Sequence, residues 1–143
     1  MRGIPWLVLA RVACQSAPTG PVSVPLAEAA SARVFWTATG ADWTSHIPLT
    51  ITYTVRLKVK LYVADGREIV PLPNAVQMTE SVSPPSLATA TTADSVLLLL
   101  DVTPTAAPGA SGDLSITLTE PSSGTMKTFG PFFMLVHDTV AVR

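Results

Sequence analysis

The fold of this chain is decided by residues 49–63, which read LTITYTVRLKVKLYV. Every odd-numbered position in this stretch is apolar, and the positions between them hold threonine, arginine, lysine or tyrosine. Successive side chains of a β-strand point to opposite faces of a sheet, whereas a helix would scatter these residues around its axis. The pattern therefore predicts a strand with one buried face and one polar face.

The residues that follow predict a tight hairpin. Asp65 and Gly66 supply the positive φ angles of a tight hairpin turn, and residues 68–70 would begin the return strand. Residues 49–63 in one extended strand would span about 50 Å, while a compact domain formed by the whole chain of 143 residues would be about 40 Å across. The strand must therefore bend, divide into two strands without an obvious turn, or project. We expect residues 47–70 to form a long β-hairpin.

Further strands are indicated along the rest of the chain. We predict them near residues 33–38, 113–120 and 125–137, the last broken near Gly130, and at residues 95–103, where four consecutive leucines indicate burial on both faces. Residues 83–94, rich in serine, proline and threonine, are typical of a long polar loop. Roughly seven to nine strands predict an all-β fold, an antiparallel β-sandwich of the immunoglobulin-like or jelly-roll kind.

The chain of 143 residues has the length of one domain. Residues 4–10 form an apolar segment, and the prolines and glycine that follow prevent a regular element from continuing. We assign residues 1–24 to an extended N-terminal arm and residues 25–143 to the sandwich. A second interpretation is a short signal peptide beginning at Met1 and Arg2, although Arg11 interrupts its apolar run.

The charge and the cysteine content of the chain exclude several classes of function. Nine Lys and Arg against ten Asp and Glu give a net charge of −1, so we expect no nucleic-acid partner. No apolar run approaches the ~20 residues of a membrane-spanning helix. The single cysteine, Cys14, excludes a disulfide framework within the chain and a cysteine-rich zinc site.

Motifs that carry chemistry are missing from the sequence. Neither a Gly-x-Ser-x-Gly nucleophile turn nor a phosphate-binding glycine loop occurs. His46 and His137, which are the only histidines, follow no metal-ligand spacing, although they could converge with Cys14 and a carboxylate. We predict that the chain is not an enzyme and holds no cofactor or metal ion.

The composition points instead to contacts with other proteins. Hydrophobic residues make up 48% of the chain, and charged residues make up 13%, about half the usual share. Large exposed apolar areas usually mark a contact surface. The candidate partner-binding residues lie on the arm and on the polar face of the long strand: Trp6, Leu7, Leu9, Arg56, Lys58, Lys60 and Tyr62. For the last four, the alternative is a solvated face that keeps a strand from aggregating.

The apolar arm, the threonine-rich strand and the Thr/Ser/Ala/Pro-rich loops at 83–94 and 104–112 resemble small all-β virion proteins, such as bacteriophage capsid decoration or cement subunits and tail accessory proteins. The resemblance implies a virion structural protein that stabilises subunit junctions, with copies of itself or other proteins of the same assembly as partners. The alternative is an exported β-sandwich module, extracellular or periplasmic, that binds a carbohydrate or a cell-surface ligand.

Overall fold

The alternating residues of the sequence form β-strands in the computed structural model, which describes residues 20–138. Within that range the elements are a 3-10 turn η1 (Leu26–Glu28) and eight strands: β1 (Ser31–Trp36), β2 (Ile47–Thr50), β3 (Val55–Tyr62), β4 (Gln77–Ser83), β5 (Ala88–Asp94), β6 (Leu99–Pro104), β7 (Ser111–Glu120) and β8 (Thr125–His137).

The strands form two four-stranded sheets. The first sheet has the order β1-β3-β6-β5 and is antiparallel throughout. The second sheet has the order β2-β8-β7-β4, in which β2 runs parallel to β8 and the other pairs are antiparallel. Apolar side chains from both sheets form one buried core. The expected all-β, sandwich-like fold is therefore confirmed.

The core is supplied by alternate residues of the strands, as the sequence predicts. On β3 the buried side chains are Val55, Leu57, Val59 and Leu61, and β7 contributes Leu114, Ile116 and Leu118. The polar residues between them face outwards. Burial of one face of each strand is thus the main source of stability, because apolar area removed from water is the dominant favourable contribution to folding.

Residues 49–63 are two strands, which is one of the three arrangements that the length of this stretch left open. The chain leaves the second sheet at Thr50, turns through Thr52 with a φ of 64°, and enters the first sheet at Val55. The Tyr53 N–H donates to the Thr50 carbonyl across this turn at 3.0 Å. Odd-numbered residues such as Leu49 and Val55 face the core on both sides of the crossing. The alternation therefore runs through it without a visible break.

The long β-hairpin expected over residues 47–70 is absent in that form. A turn is present, but of the two predicted residues only Gly66, with a φ of 94°, has a positive φ angle, and the Val63 N–H donates to the Arg67 carbonyl at 2.9 Å across three residues. The return, however, is a single bridge between Tyr62 and Glu68. The chain then reaches Pro71, and a proline cannot donate to a strand ladder.

Two other expectations are wrong. Residues 83–94 are not a long loop, because residues 88–94 form β5, whose threonines and alanines alternate as in any half-exposed strand. Residues 95–103 are not one strand buried on both faces. Residues 95–98 form a turn that ends at Leu98 with a φ of 56°, and β6, which follows, buries alternate residues only.

Predictions near the C-terminus are confirmed. The alternating residues 113–120 lie in β7, and β8 has an irregular register next to Gly130. At the other end, the linker already contacts the body at Val22, whose N–H donates to the Glu68 carbonyl at 2.9 Å. The expectations for residues 1–19, which include Cys14 and the signal peptide, lie outside the described residues.

Candidate partner-binding surface

Four of the predicted partner-binding residues share the outer face of β3. Arg56, Lys58, Lys60 and Tyr62 alternate with the buried residues of the strand and point away from the core. The other three, Trp6, Leu7 and Leu9, lie outside the described residues. The structure therefore brings one predicted group together on a sheet face and leaves the arm group untested.

Arg56 is engaged by the neighbouring strand. It faces Asp101 of β6 in register, and its Nε and Nη2 atoms donate to Oδ1 and Oδ2 of Asp101 at 2.8 and 2.9 Å. This two-point pairing holds the pKa of the Asp101 carboxyl below its usual range, because hydrogen bonds from the guanidinium favour the charged carboxylate. The ion pair links β3 to β6 on the outer face.

Lys58 holds the turn that follows β5. Its Nζ atom donates to the carbonyl oxygen of Leu97. Burial lowers the pKa of the Lys58 amine, while the charge of Glu68 acts in the opposite direction. The side chain is half-buried and therefore serves as a support for residues 95–98.

Lys60 and Tyr62 pair with side chains of β1. The Lys60 Nζ atom lies 4.7 Å from the centroid of the Phe35 ring, and the Arg33 guanidinium carbon lies 5.6 Å from that of Tyr62. Both distances are in the range of cation–π attraction. The outer face of the first sheet is thus a patterned strip of cations and aromatic rings, in which each predicted side chain already has a neighbour.

A more open apolar surface lies beside this strip, and the sequence did not reveal it. A groove of about 430 Å³ is bordered by the second half of β3, by residues 68–76 and by the turn at residues 95–98. We call it the apolar groove. Among its lining residues, Val96 is 87% exposed, Leu97 is 52% exposed and Val70 is 47% exposed.

The groove exists because β6 and the return segment, residues 68–70, pair with β3 at different positions along the strand. The pairing of β6 with β3 ends where the Val59 N–H donates to the Leu98 carbonyl at 2.9 Å. The return segment meets β3 only at its end, through the bridge between Tyr62 and Glu68 and the Ile69 N–H that donates to the Leu61 carbonyl at 2.8 Å. Since the two segments do not meet, a gap remains between them, and it is lined mainly by apolar side chains together with Lys58, Lys60 and Glu68.

One signal for the exposed turn was present in the sequence. The Asp94 carboxylate oxygen Oδ1 accepts hydrogen bonds from the backbone N–H groups of Val96 and Leu97 at 2.9 and 3.0 Å. An aspartate that binds the backbone two residues ahead is typical of turns. Asp94 could therefore have indicated that the run of leucines begins in a turn.

The one buried charged side chain among residues 20–138 is Glu120, which is 1% exposed. Its Oε1 accepts from the Ser123 hydroxyl at 2.6 Å, and its Oε2 accepts from the Leu26 N–H at 3.5 Å and the Asn74 amide at 3.4 Å. The hydrogen bond from Ser123 contributes most to lowering the pKa of this carboxyl. Glu120 therefore fastens η1 and the loop before β4 to the β7–β8 turn.

The two histidines do come together. The ring centroids of His46 and His137 are 6.1 Å apart, and His46 lies 5.5 Å from the ring of Phe133. Between residues 20 and 138, no group of three or more histidine, cysteine or acidic side chains is arranged to hold a metal ion. Over the same residues, no helix is both long and apolar enough to cross a membrane.

Comparison with known proteins gives no relative from which a site could be transferred. No protein-family model matches this sequence, and no curated protein matches it significantly. The functional argument therefore depends on the surfaces described above.

Proposed function

We propose that this chain is an immunoglobulin-like β-sandwich that serves as a structural subunit, associating with copies of itself in a larger assembly of the virion decoration or cement kind. The strand order of the first sheet corresponds to the A-B-E-D order of an immunoglobulin constant-type sheet, and β4, β7 and β8 correspond to C, F and G. This correspondence favours the immunoglobulin-like arrangement over a jelly roll.

The observation that carries the proposal is the exposure of Val96 and Leu97 beside the apolar groove. Apolar side chains that remain in water next to a concave surface are typical of a site that a partner covers. The domain is otherwise well packed, since alternate residues of its long strands are buried. An exposed apolar site on such a domain supports association.

The ionisable side chains agree with a role without catalysis. The lowered pKa values of Asp101 and Glu120 result from hydrogen bonds that join one element to another. Perturbed carboxyl groups are candidates for catalysis when they lie in a cleft beside a reacting group. Here Asp101 and Glu120 stabilise contacts between elements of the fold, which favours a structural role.

Carbohydrate binding, the alternative expectation, receives less support. Sugar-binding surfaces commonly use exposed aromatic rings, and two of the three tryptophans, Trp36 and Trp43, are within the described residues. These two rings stack on each other with centroids 4.7 Å apart, and Trp43 is buried. The pair is therefore occupied in packing.

The test is the molar mass of the full chain in solution over a wide concentration range. Size-exclusion chromatography with light scattering should give a mass that rises above the 15.0 kDa of one chain as concentration increases. A mass of one chain at every concentration would overturn the proposal. Thr79→Asp, on the exposed face of β4 away from the groove, is a control that should leave the mass unchanged.

A further inference from the structure

We infer that the apolar groove is the docking site for residues 4–10 of a second copy of this chain. The inference depends on the proposed self-association and names the contact that produces it. It rests on three observations: the apolar surface of the groove, the apolar character of residues 4–10, and the course of the chain where the described residues begin.

The groove is suited to an extended apolar segment. Its floor includes Val59 and Leu61 of β3, which are buried, and its walls expose Val70, Val96 and Leu97. The volume of about 430 Å³ is in the range of sites that enclose a small organic molecule. A few apolar side chains carried on an extended segment would therefore cover the exposed walls.

Residues 4–10 have the matching chemistry. They read IPWLVLA and contain no charged side chain, the indole N–H of Trp6 being the one polar side-chain group. Proline at position 5 has no N–H and restricts the residue before it to extended conformations. An apolar segment of this length gains free energy when a partner removes it from water. It is therefore the part of the chain outside residues 20–138 that best fits the groove.

The chain enters the described structure beside the groove. The Val22 N–H donates to the Glu68 carbonyl, and the Val22 carbonyl accepts from the Val70 N–H at 2.8 Å. In addition, the Ser23 hydroxyl donates to the Pro71 carbonyl at 2.9 Å. Segment 68–71, which forms part of the groove wall, thus also holds the base of the arm.

The direction of the chain at this point favours a second copy over the same chain. Val22 pairs in parallel with Ile69, so the chain before Val22 runs beside Arg67, towards the turn at Gly66. That course leads away from residues 71–76, which form the far wall of the groove. Residues 11–19 span at most about 32 Å, which is enough to reach a neighbouring molecule placed against this face.

Such an exchange is self-complementary. Each copy would offer one groove and one segment, so two copies related by a two-fold axis would satisfy both sites at once. The alternative occupant is the segment of the same chain, which a nine-residue spacer could return to its own groove. The experiment below separates the two.

The test uses full-length chains in which Cys14, the only cysteine, is replaced by serine. One preparation carries Leu7→Cys and is labelled with ¹⁵N; the other carries Leu97→Cys and is unlabelled. After mixing, bismaleimidoethane links cysteines that lie close together, and mass spectrometry identifies the joined peptides. We expect at least tenfold more links between labelled residue 7 and unlabelled residue 97 than in the control, in which Thr79→Cys replaces Leu97→Cys.

Each outcome decides the inference. A yield of links between residues 7 and 97 no higher than the yield in the Thr79→Cys control would overturn the inference. A second experiment mixes labelled and unlabelled preparations of a chain that carries both Leu7→Cys and Leu97→Cys. If every link then joins two cysteines of the same molecule, the inference is also overturned, because the segment folds back on its own chain. Links between differently labelled copies support it.

Self-association gives an independent measure. Leu97→Asp and Trp6→Asp should each raise the dissociation constant of the assembly at least tenfold, whereas Thr79→Asp should not change it. Circular dichroism of each variant checks that the fold is intact. If the unchanged chain associates and neither substitution weakens it, the docking inference fails while the proposed function stands; if the unchanged chain never associates, the proposed function fails.

Discussion

The hydroxyl of Ser123 donates a hydrogen bond of 2.6 Å to Oε1 of the buried Glu120, three residues earlier in the chain. The other carboxylate oxygen receives the Leu26 N–H and the Asn74 amide, so three separate segments converge on one side chain. A buried carboxylate is tolerated because its oxygens have partners. Glu120 is therefore a structural anchor, and its replacement should affect the fold rather than any reaction.

We expect Glu120→Ala to lower the midpoint of thermal unfolding by roughly 5 °C or more, because it leaves the N–H of the buried Leu26 without its acceptor and removes the contacts with Ser123 and Asn74. Glu120→Gln should be intermediate. Its amide oxygen can still accept from the Leu26 N–H, while the amide NH₂ can donate to the rotatable Ser123 hydroxyl. Differential scanning calorimetry measures all three proteins. Glu28→Gln, at an exposed position in the neighbouring 3-10 turn, is the control and should match the unchanged chain. Equal midpoints for the three proteins would contradict the anchor role.

The pH dependence of stability should follow from the same contact. The pKa of Glu120 is lowered in the folded state from its ordinary value of 4.5, chiefly by the Ser123 hydrogen bond. A carboxyl with a lowered folded pKa contributes stability that is fully present above the unfolded pKa and is lost as the pH falls through the folded one. We therefore expect urea unfolding midpoints to fall as the pH drops below about 4.5.

Other acids contribute with the same sign, so a variant is needed to isolate Glu120. The pKa values of Asp42, Asp65 and Asp101 are also lowered, through hydrogen bonds from Thr44, Arg67 and Arg56. Ser123→Ala should be less stable than the unchanged chain at pH 7 and should lose less stability on acidification. Parallel curves for the two proteins would show that the Ser123 contact does not set the pKa of Glu120.

Alternation in the sequence was sufficient to identify the faces of strands but not their ends. Leu57 and Leu118 are buried as their position in the pattern predicts. The length of residues 49–63 allowed for a division into two strands, but the crossing could not be located at Thr52, because inward residues keep the same parity in both sheets and no glycine or proline marks the turn. Likewise, residues 97–100 carry identical side chains, so the pattern does not show where the turn after Asp94 ends, and backbone contacts place Leu97 in the turn and Leu99 in β6.

The groove was beyond sequence reasoning for a different reason. Its walls come from the turn at Leu97 and from the return segment at Val70, which are distant in sequence. These segments meet only if β6 and residues 68–70 pair with neighbouring parts of β3. The hydrogen-bond register over several strands determines where each pairing ends. The outer face of β3 was predicted, since it needs only the alternation within one strand.

Thr52 offers a position at which stability can be increased. Its φ of 64° lies in the left-handed region, which costs a residue with a β-branched side chain about 1–2 kcal/mol. Asparagine adopts this region more readily and, unlike glycine, does not add backbone freedom to the unfolded chain. We expect Thr52→Asn to raise the free energy of unfolding by up to about 1 kcal/mol, measured by urea denaturation. Thr91→Asn, at an exposed position on the extended strand β5, should be neutral or destabilising.

Gly112 tests how closely β7 approaches the end of β4 and the loop that follows it. A Cβ atom at position 112 would lie 2.3 Å from the carbonyl oxygen of Ser83 and 2.9 Å from a methyl carbon of Leu87. A backbone oxygen cannot move aside as a flexible side chain can, so the two strands would have to separate. Overpacking of this kind typically costs about 1–3 kcal/mol, and we expect Gly112→Ala to destabilise the chain by this amount in urea denaturation. Gly20→Ala is the matched control, because its added Cβ has no atom within 4 Å and should leave the free energy of unfolding unchanged. A Gly112→Ala variant as stable as Gly20→Ala would show that β7 and the Ser83 carbonyl are not in this close contact.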